Sequence, residues 1–114
     1  MPTFLYAIGH PSGPVKIGIS DNPQGRMAQF QTSCPFPIRL LHAEPCESRE
    51  IAFSDERFAH EFLKASRMHG EWFDVSGYAA IDCVQDTVQF GAHFRERAKQ
   101  EAIVENYIEA LGVN

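Results

Sequence analysis

Residues 3–20 read TFLYAIGHPSGPVKIGIS. The first part, Thr3 to Ile8, is rich in aromatic and β-branched residues, the types that suit a pleated, half-buried surface. His10, Pro11, Ser12, Gly13 and Pro14 follow as a dense cluster of turn formers. Val15 to Ser20 then alternates again, so two strands joined by a tight connection, a β-hairpin, are predicted. Residues two apart on a strand share a face, and opposed strands bring partners within a few ångströms. Tyr6 and Lys16 can therefore project from the hairpin toward one site.

Downstream of the hairpin, Asp21 or Asn22 before Pro23 marks a helix start, with an Asx side chain as cap and proline in the first turn. Met27, Phe30 and Gln31 continue this helix for about ten residues, until Thr32-Ser33-Cys34-Pro35 and Pro37 end it. Ile38 to Glu44 is a third strand. Ile51, Phe53, Phe58, Ala59, Phe62 and Leu63 recur near a 3.6-residue period, which predicts a helix over about 53–66. Gly70 breaks it, and Trp72, Phe73 and Val75 make a short apolar return to the core. Ser76 caps a further helix through Val88, and a last one is expected over about Phe94 to Leu111. The whole reads as one α+β domain: a three-stranded antiparallel sheet flanked by helices over residues 1–76, with a helical C-terminal extension of the same domain over 77–114.

A chain of 114 residues is long enough to bury a single core, and its 44% hydrophobic and 22% charged content is that of an ordinary globular protein. The start, MPTFLYAIGH, has no basic flank or long apolar stretch before a cleavage site, so a cytoplasmic location is expected. Cys34, Cys46 and Cys83 are widely spaced and lack any C-x-x-C pair, which argues for reduced thiols against a disulfide framework or a zinc site. The net charge of −5 speaks against a broad electrostatic grip on nucleic acid. The imbalance is uneven: residues 1–46 carry three bases against two acids, and residues 47–114 seven against thirteen. A phosphate-facing surface is thus expected mainly in the first half.

Arg26 lies eight residues after Gly18, and Glu56-x-x-x-His60 follows on the second helix, where a four-residue step puts both side chains on one face. This order resembles the GIY-YIG nuclease superfamily, with Tyr in the first strand of a hairpin, Gly closing the second, Arg on the next helix and Glu on a later one. The chain is most similar to a branch of small bacterial and phage domains. The matching segments are Val15-Lys16-Ile17-Gly18, Asn22-Pro23-Gln24-Gly25-Arg26, the Gln-Thr-x-x-Pro segment Gln31 to Pro35, Glu56-x-x-x-His60 and Gly70-Glu71-Trp72-Phe73. Phe4 stands at the first Gly of the GIY triplet and Lys16 at the first Tyr of YIG.

The resemblance implies hydrolysis of DNA phosphodiester bonds with one divalent metal, Mg²⁺ or Mn²⁺. In it Tyr6 is the general base, and Lys16 supplies a cation that favours phenolate over phenol. Arg26 holds the scissile phosphate, Glu56 binds the metal, and His60 orients a water or contacts phosphate. Glu71 is the rival metal ligand, although its neighbours Trp72 and Phe73 suggest a packing turn whose carboxylate is satisfied by a hydrogen bond or by Arg67. His10, His42, His69 and His93 show no ligand spacing. The apolar residues of the last two helices exceed what so small a sheet obviously needs, and either complete the core or form a homodimer seam. Beside the endonuclease stands a second reading: a module that keeps the fold and binds nucleic acid or protein without cleaving.

Overall fold

A computed structural model describes residues 1–112 of the chain. Strands β1 (Phe4–Gly9) and β2 (Val15–Ser20) form the expected hairpin, with Tyr6 opposite Gly18 and Ile8 opposite Lys16. Helix α1 (Pro23–Gln31) starts where the Asx-Pro pair requires: the Asn22 side chain accepts the Gly25 amide at 3.1 Å, and Pro23 occupies the first turn, where its missing N–H costs nothing. Strand β3 (Arg39–Pro45) pairs with the other edge of β1 through a register shift between Ala7 and Ile8.

A fourth strand joins them. The two residues of β4 (Trp72–Phe73) pair antiparallel with Val15 and Lys16, so the sheet order is β3-β1-β2-β4. Two residues are too few to show a period, which is why the sequence predicts three strands and leaves this segment as an apolar return.

The sheet is covered on both faces. Leu5, Ala7, Val15 and Ile17 look toward helices α2 (Arg49–Phe62) and α3 (Gly77–Ala110) and pack with Ala52, Ala59, Phe73, Ala80, Val84 and Val88. Tyr6 and Ile8 look the other way, onto Met27 and Phe30 of α1. Helix α2 begins and ends earlier than its apolar spacing predicts, because Ser48 accepts the Ile51 amide at 3.1 Å, and a short 3-10 turn, Lys64–Ser66, follows the helix.

The two expected C-terminal helices are one helix of 34 residues, capped by Ser76. It runs straight through Gly91. A Cβ there would lie 3.0 Å from Arg95 Nη1 and 3.1 Å from Asp55 Oδ1, so the glycine leaves space for α3 to approach a buried carboxylate instead of ending a helix. Asp55, 4% exposed, meets Arg95 at 3.7 Å. The buried residues of α3 end at Val88, and the rest projects, giving extents of 65 × 31 × 20 Å and a radius of gyration of 17.6 Å, against about 13 Å for a compact chain of this length. Among the described residues no helix is long and apolar enough to cross a membrane.

Phe73 is fully buried between β2 and the helices. Phe73→Ala should lower the unfolding free energy by about 3–5 kcal/mol in urea or thermal denaturation. A loss below about 1 kcal/mol would mean that β4 does not close the core.

Candidate active site at the open edge of the second strand

Beyond Lys16 the outer edge of β2 has no strand beside it, and its backbone groups are met in other ways. The Ile17 amide donates to the Glu71 carbonyl at 3.1 Å. His60 Nε2–H donates to the Ile17 carbonyl at 2.7 Å, and the Ile19 amide lies close enough to the Glu56 carboxylate to help hold its pKa down. Four residues of helix rise about 6 Å and two residues of strand about 6.6 Å, so Glu56-x-x-x-His60 matches the Ile17–Ile19 repeat of the edge. Through His60 the helical motif therefore docks α2 on this edge. The His60 ring also packs on Phe73, with centroids 5.1 Å apart, which leaves Nδ1 as the nitrogen not bound to the backbone.

Tyr6 comes from the neighbouring strand and is 1% exposed. Its ring crosses to Gly18, directly opposite on β2. A Cβ on Gly18 would stand 2.6 Å from the Tyr6 hydroxyl and 3.1 Å from Glu71 Oε2, so the glycine of Lys16-Ile17-Gly18 is the floor on which these two oxygens meet. Glu71 is delivered by the turn before β4, where Gly70 has a φ of 60°, a conformation that favours glycine. Arg67 does not satisfy Glu71 as the sequence suggested, since its Nε donates to the Gly70 carbonyl at 2.7 Å. Instead Glu71 Oε2 lies 3.7 Å from Lys16 Nζ. The rival ligand is thus at the centre of the cluster, and its signal in the sequence was the Gly70-Glu71-Trp72-Phe73 segment.

Lys16 and Arg26 share an aromatic ring. Lys16 Nζ is 4.5 Å and the Arg26 guanidinium 4.7 Å from the Phe30 centroid, and Lys16 also faces Trp72 at 5.7 Å. Arg26 is otherwise exposed, with Nη1 donating to Gln29 Oε1 at 3.2 Å.

The electrostatics correct one expectation. Burial first, and then the Glu71 charge, push the Tyr6 phenol up to about 12, with Glu56 adding a little. The cation that opposes them is Arg26, since the Lys16 ammonium is engaged with Glu71. Tyr6 is accordingly a neutral phenol at physiological pH. Glu56 is also held above the ordinary carboxylate range, by burial and then by Glu71, while His60 and the Ile19 amide act in the opposite sense.

Two half-buried carboxylates beside a phenol oxygen form a hard, oxygen-only donor set with surplus negative charge. Such a set suits Mg²⁺ or Mn²⁺, with waters completing the coordination. Among the described residues no three His, Cys, Asp or Glu side chains come together as a ready-made metal site, so the donor set is these two carboxylates with the phenol. His42 pairs with Glu44 at 2.6 Å and His10 with Ser12 at 2.7 Å, both away from this edge.

The model of the T5orf172 domain matches residues 3–89. No curated protein and no solved structure matches the chain. The matched segment runs from the first strand past the last buried residue of α3 and takes in Tyr6, Lys16, Arg26, Glu56, His60 and Glu71. The chain belongs to the T5orf172 domain family.

Proposed function

We propose that this protein is a metal-dependent endonuclease that hydrolyses DNA phosphodiester bonds by GIY-YIG-type, one-metal chemistry. The T5orf172 domain is a phage-associated, nuclease-like domain. The observation that carries the proposal is the approach of the Tyr6 hydroxyl and Glu71 Oε2 over Gly18, with Arg26 and Glu56 near enough to act on the phenol. Beside Lys16 opens a groove of about 440 Å³ with Phe30, Phe36, Met68 and Trp72 in its walls, and aromatic faces of this kind stack nucleobases next to a bound phosphate.

Each group has a task suited to its surroundings. Arg26, exposed and steadied by Phe30, presents a planar fork of donors to two phosphate oxygens and stabilises the charge that grows on them. Lys16 adds a second positive charge on the same side. Glu56 and Glu71 would hold the divalent cation. When bound, that cation supplies Lewis-acid stabilisation of the phosphoryl oxygens and cancels the carboxylates' upward push on Tyr6. Tyr6 then takes the proton of the attacking water at its hydroxyl oxygen, for which it must first be deprotonated. His60 keeps α2, and with it Glu56, in register with β2.

The second reading, a module that binds without cleaving, is favoured by the net charge of −5. Wild-type protein that retards DNA yet leaves it intact in Mn²⁺ would establish it.

Plasmid nicking in Mg²⁺ or Mn²⁺ tests the assignment. Arg26→Ala should cost a factor of about 10²–10³ in rate, with little change in thermal midpoint because the side chain is exposed. Tyr6→Phe keeps the packed ring and should abolish cleavage, while wild-type rates rise toward alkaline pH as the phenol ionises. Normal activity in either variant would remove that residue from the mechanism.

Glu56 ties stability to pH. Its folded pKa is raised, so its stabilising contribution is complete below the ordinary carboxylate range and is lost as pH rises through the raised value. In chelator at pH 7.5, Glu56→Gln should therefore melt higher than wild type while failing to cleave. Mn²⁺ should raise the midpoint of wild type but of neither Glu56→Gln nor Glu71→Gln. A metal-induced rise that survives in both variants would place the cation elsewhere.

A further inference from the structure

Past Arg95 no described residue of helix α3 is buried, yet it carries large apolar side chains in an ordered pattern. Phe90, Phe94, Arg97, Glu101, Val104, Ile108 and Leu111 follow one another at alternating steps of four and three residues, which is the seam of a left-handed coiled coil. The apolar members are 40–63% exposed. An unsupported helix of this length is marginal in water, so the seam calls for a partner.

The two ends of the seam are complementary. At its start, between α2 and α3, lies an apolar groove of about 550 Å³ whose walls include Phe58, Phe62, Phe90 and Phe94. At its far end stand Ile108 and Leu111, which have the size and shape to fill such a groove. The charges follow the same logic. Residues 95–99 carry Arg95, Arg97 and Lys99 against Glu96 alone, whereas residues 101–110 carry Glu101, Glu105 and Glu109 and no base. A second helix running in the same direction would place base on base and acid on acid. One running in the opposite direction sets the net-basic stretch against the acidic one and brings Ile108 and Leu111 to the phenylalanine groove at both ends.

We infer that the distal half of α3 pairs antiparallel with the same segment of a second copy of this chain, about a two-fold axis near residues 100 and 101. Each copy seats Ile108 and Leu111 in the other's groove between α2 and α3. The contact is isologous and closes on itself, as expected of a symmetric dimer. It does not depend on the nuclease assignment, and it holds the two candidate sites on opposite ends of one rigid rod.

Light scattering after gel filtration, together with distances between spin labels, tests the pairing. Wild type should have the mass of two chains at micromolar concentration. Ile108→Glu and Val104→Glu, both at exposed positions outside the core, should each give single chains with unchanged core melting. In a Cys34→Ser background, a label at Gln100→Cys should report a short separation across the axis, within about 20 Å. A label at Ala110→Cys should report a long one, near 30 Å, from about 1.5 Å of rise per residue. A single chain at all concentrations, a dimer indifferent to both Glu variants, or short distances at both labels would overturn the inference, the last in favour of a parallel pair.

Discussion

An unpaired strand edge leaves backbone donors and acceptors that must be met by water or by protein, and β2 exposes such an edge beyond Lys16. The chain closes part of it with groups that also serve the candidate site: the Glu71 carbonyl meets the Ile17 amide and His60 meets the Ile17 carbonyl. These contacts set how far α2 slides along the sheet. If α2 moved by one turn, the edge would lose its partners and the carboxylates would separate together, so the position of the site and the satisfaction of the backbone are the same constraint.

The resulting cluster works against stability. A buried phenol faces a carboxylate over a glycine that leaves no spare volume, and a second carboxylate, Glu56, is raised by burial and by Glu71. Lys16 and Arg26 offset part of this charge from one side, across the ring of Phe30. A site that stays electrostatically incomplete within its own chain is what a divalent cation and a phosphodiester would complete. Asp55 shows the contrasting arrangement. It is also a carboxylate of α2, and a buried one, but Arg95 of α3 reaches it at 3.7 Å, so its charge links two helices. Among the described residues its other oxygen, Oδ2, has no hydrogen-bond partner.

Helix α3 joins two regimes in one rigid element. Through Val88 it is a core helix, buried against β1, β3 and α2, and beyond Arg95 its apolar side chains are exposed. Nothing in the local sequence marks the change as a break, because Gly91 sits where α3 crosses Asp55. The helix continues, carrying the hydrophobic seam away from the domain.

The sequence by itself determined what depends on near neighbours. The hairpin was legible from period-two alternation around a proline and glycine cluster, α1 from Asn22-Pro23, and the sharing of one face by Glu56 and His60 from helical geometry; together they announce an α+β domain with its chemistry in the first three quarters of the chain. Only the tertiary structure decided what depends on distant pairing. Trp72–Phe73 becomes a strand because β2 offers it an edge, not because two residues have a propensity. Glu71 moves from a packing turn to the centre of the cluster because that strand brings it over Gly18. Lys16 faces Glu71, leaving Arg26 to act on Tyr6, because α1 folds back across the hairpin. In each case the deciding contact joins residues far apart in the chain, where local spacing carries no information and only the packing of the whole domain sets who meets whom.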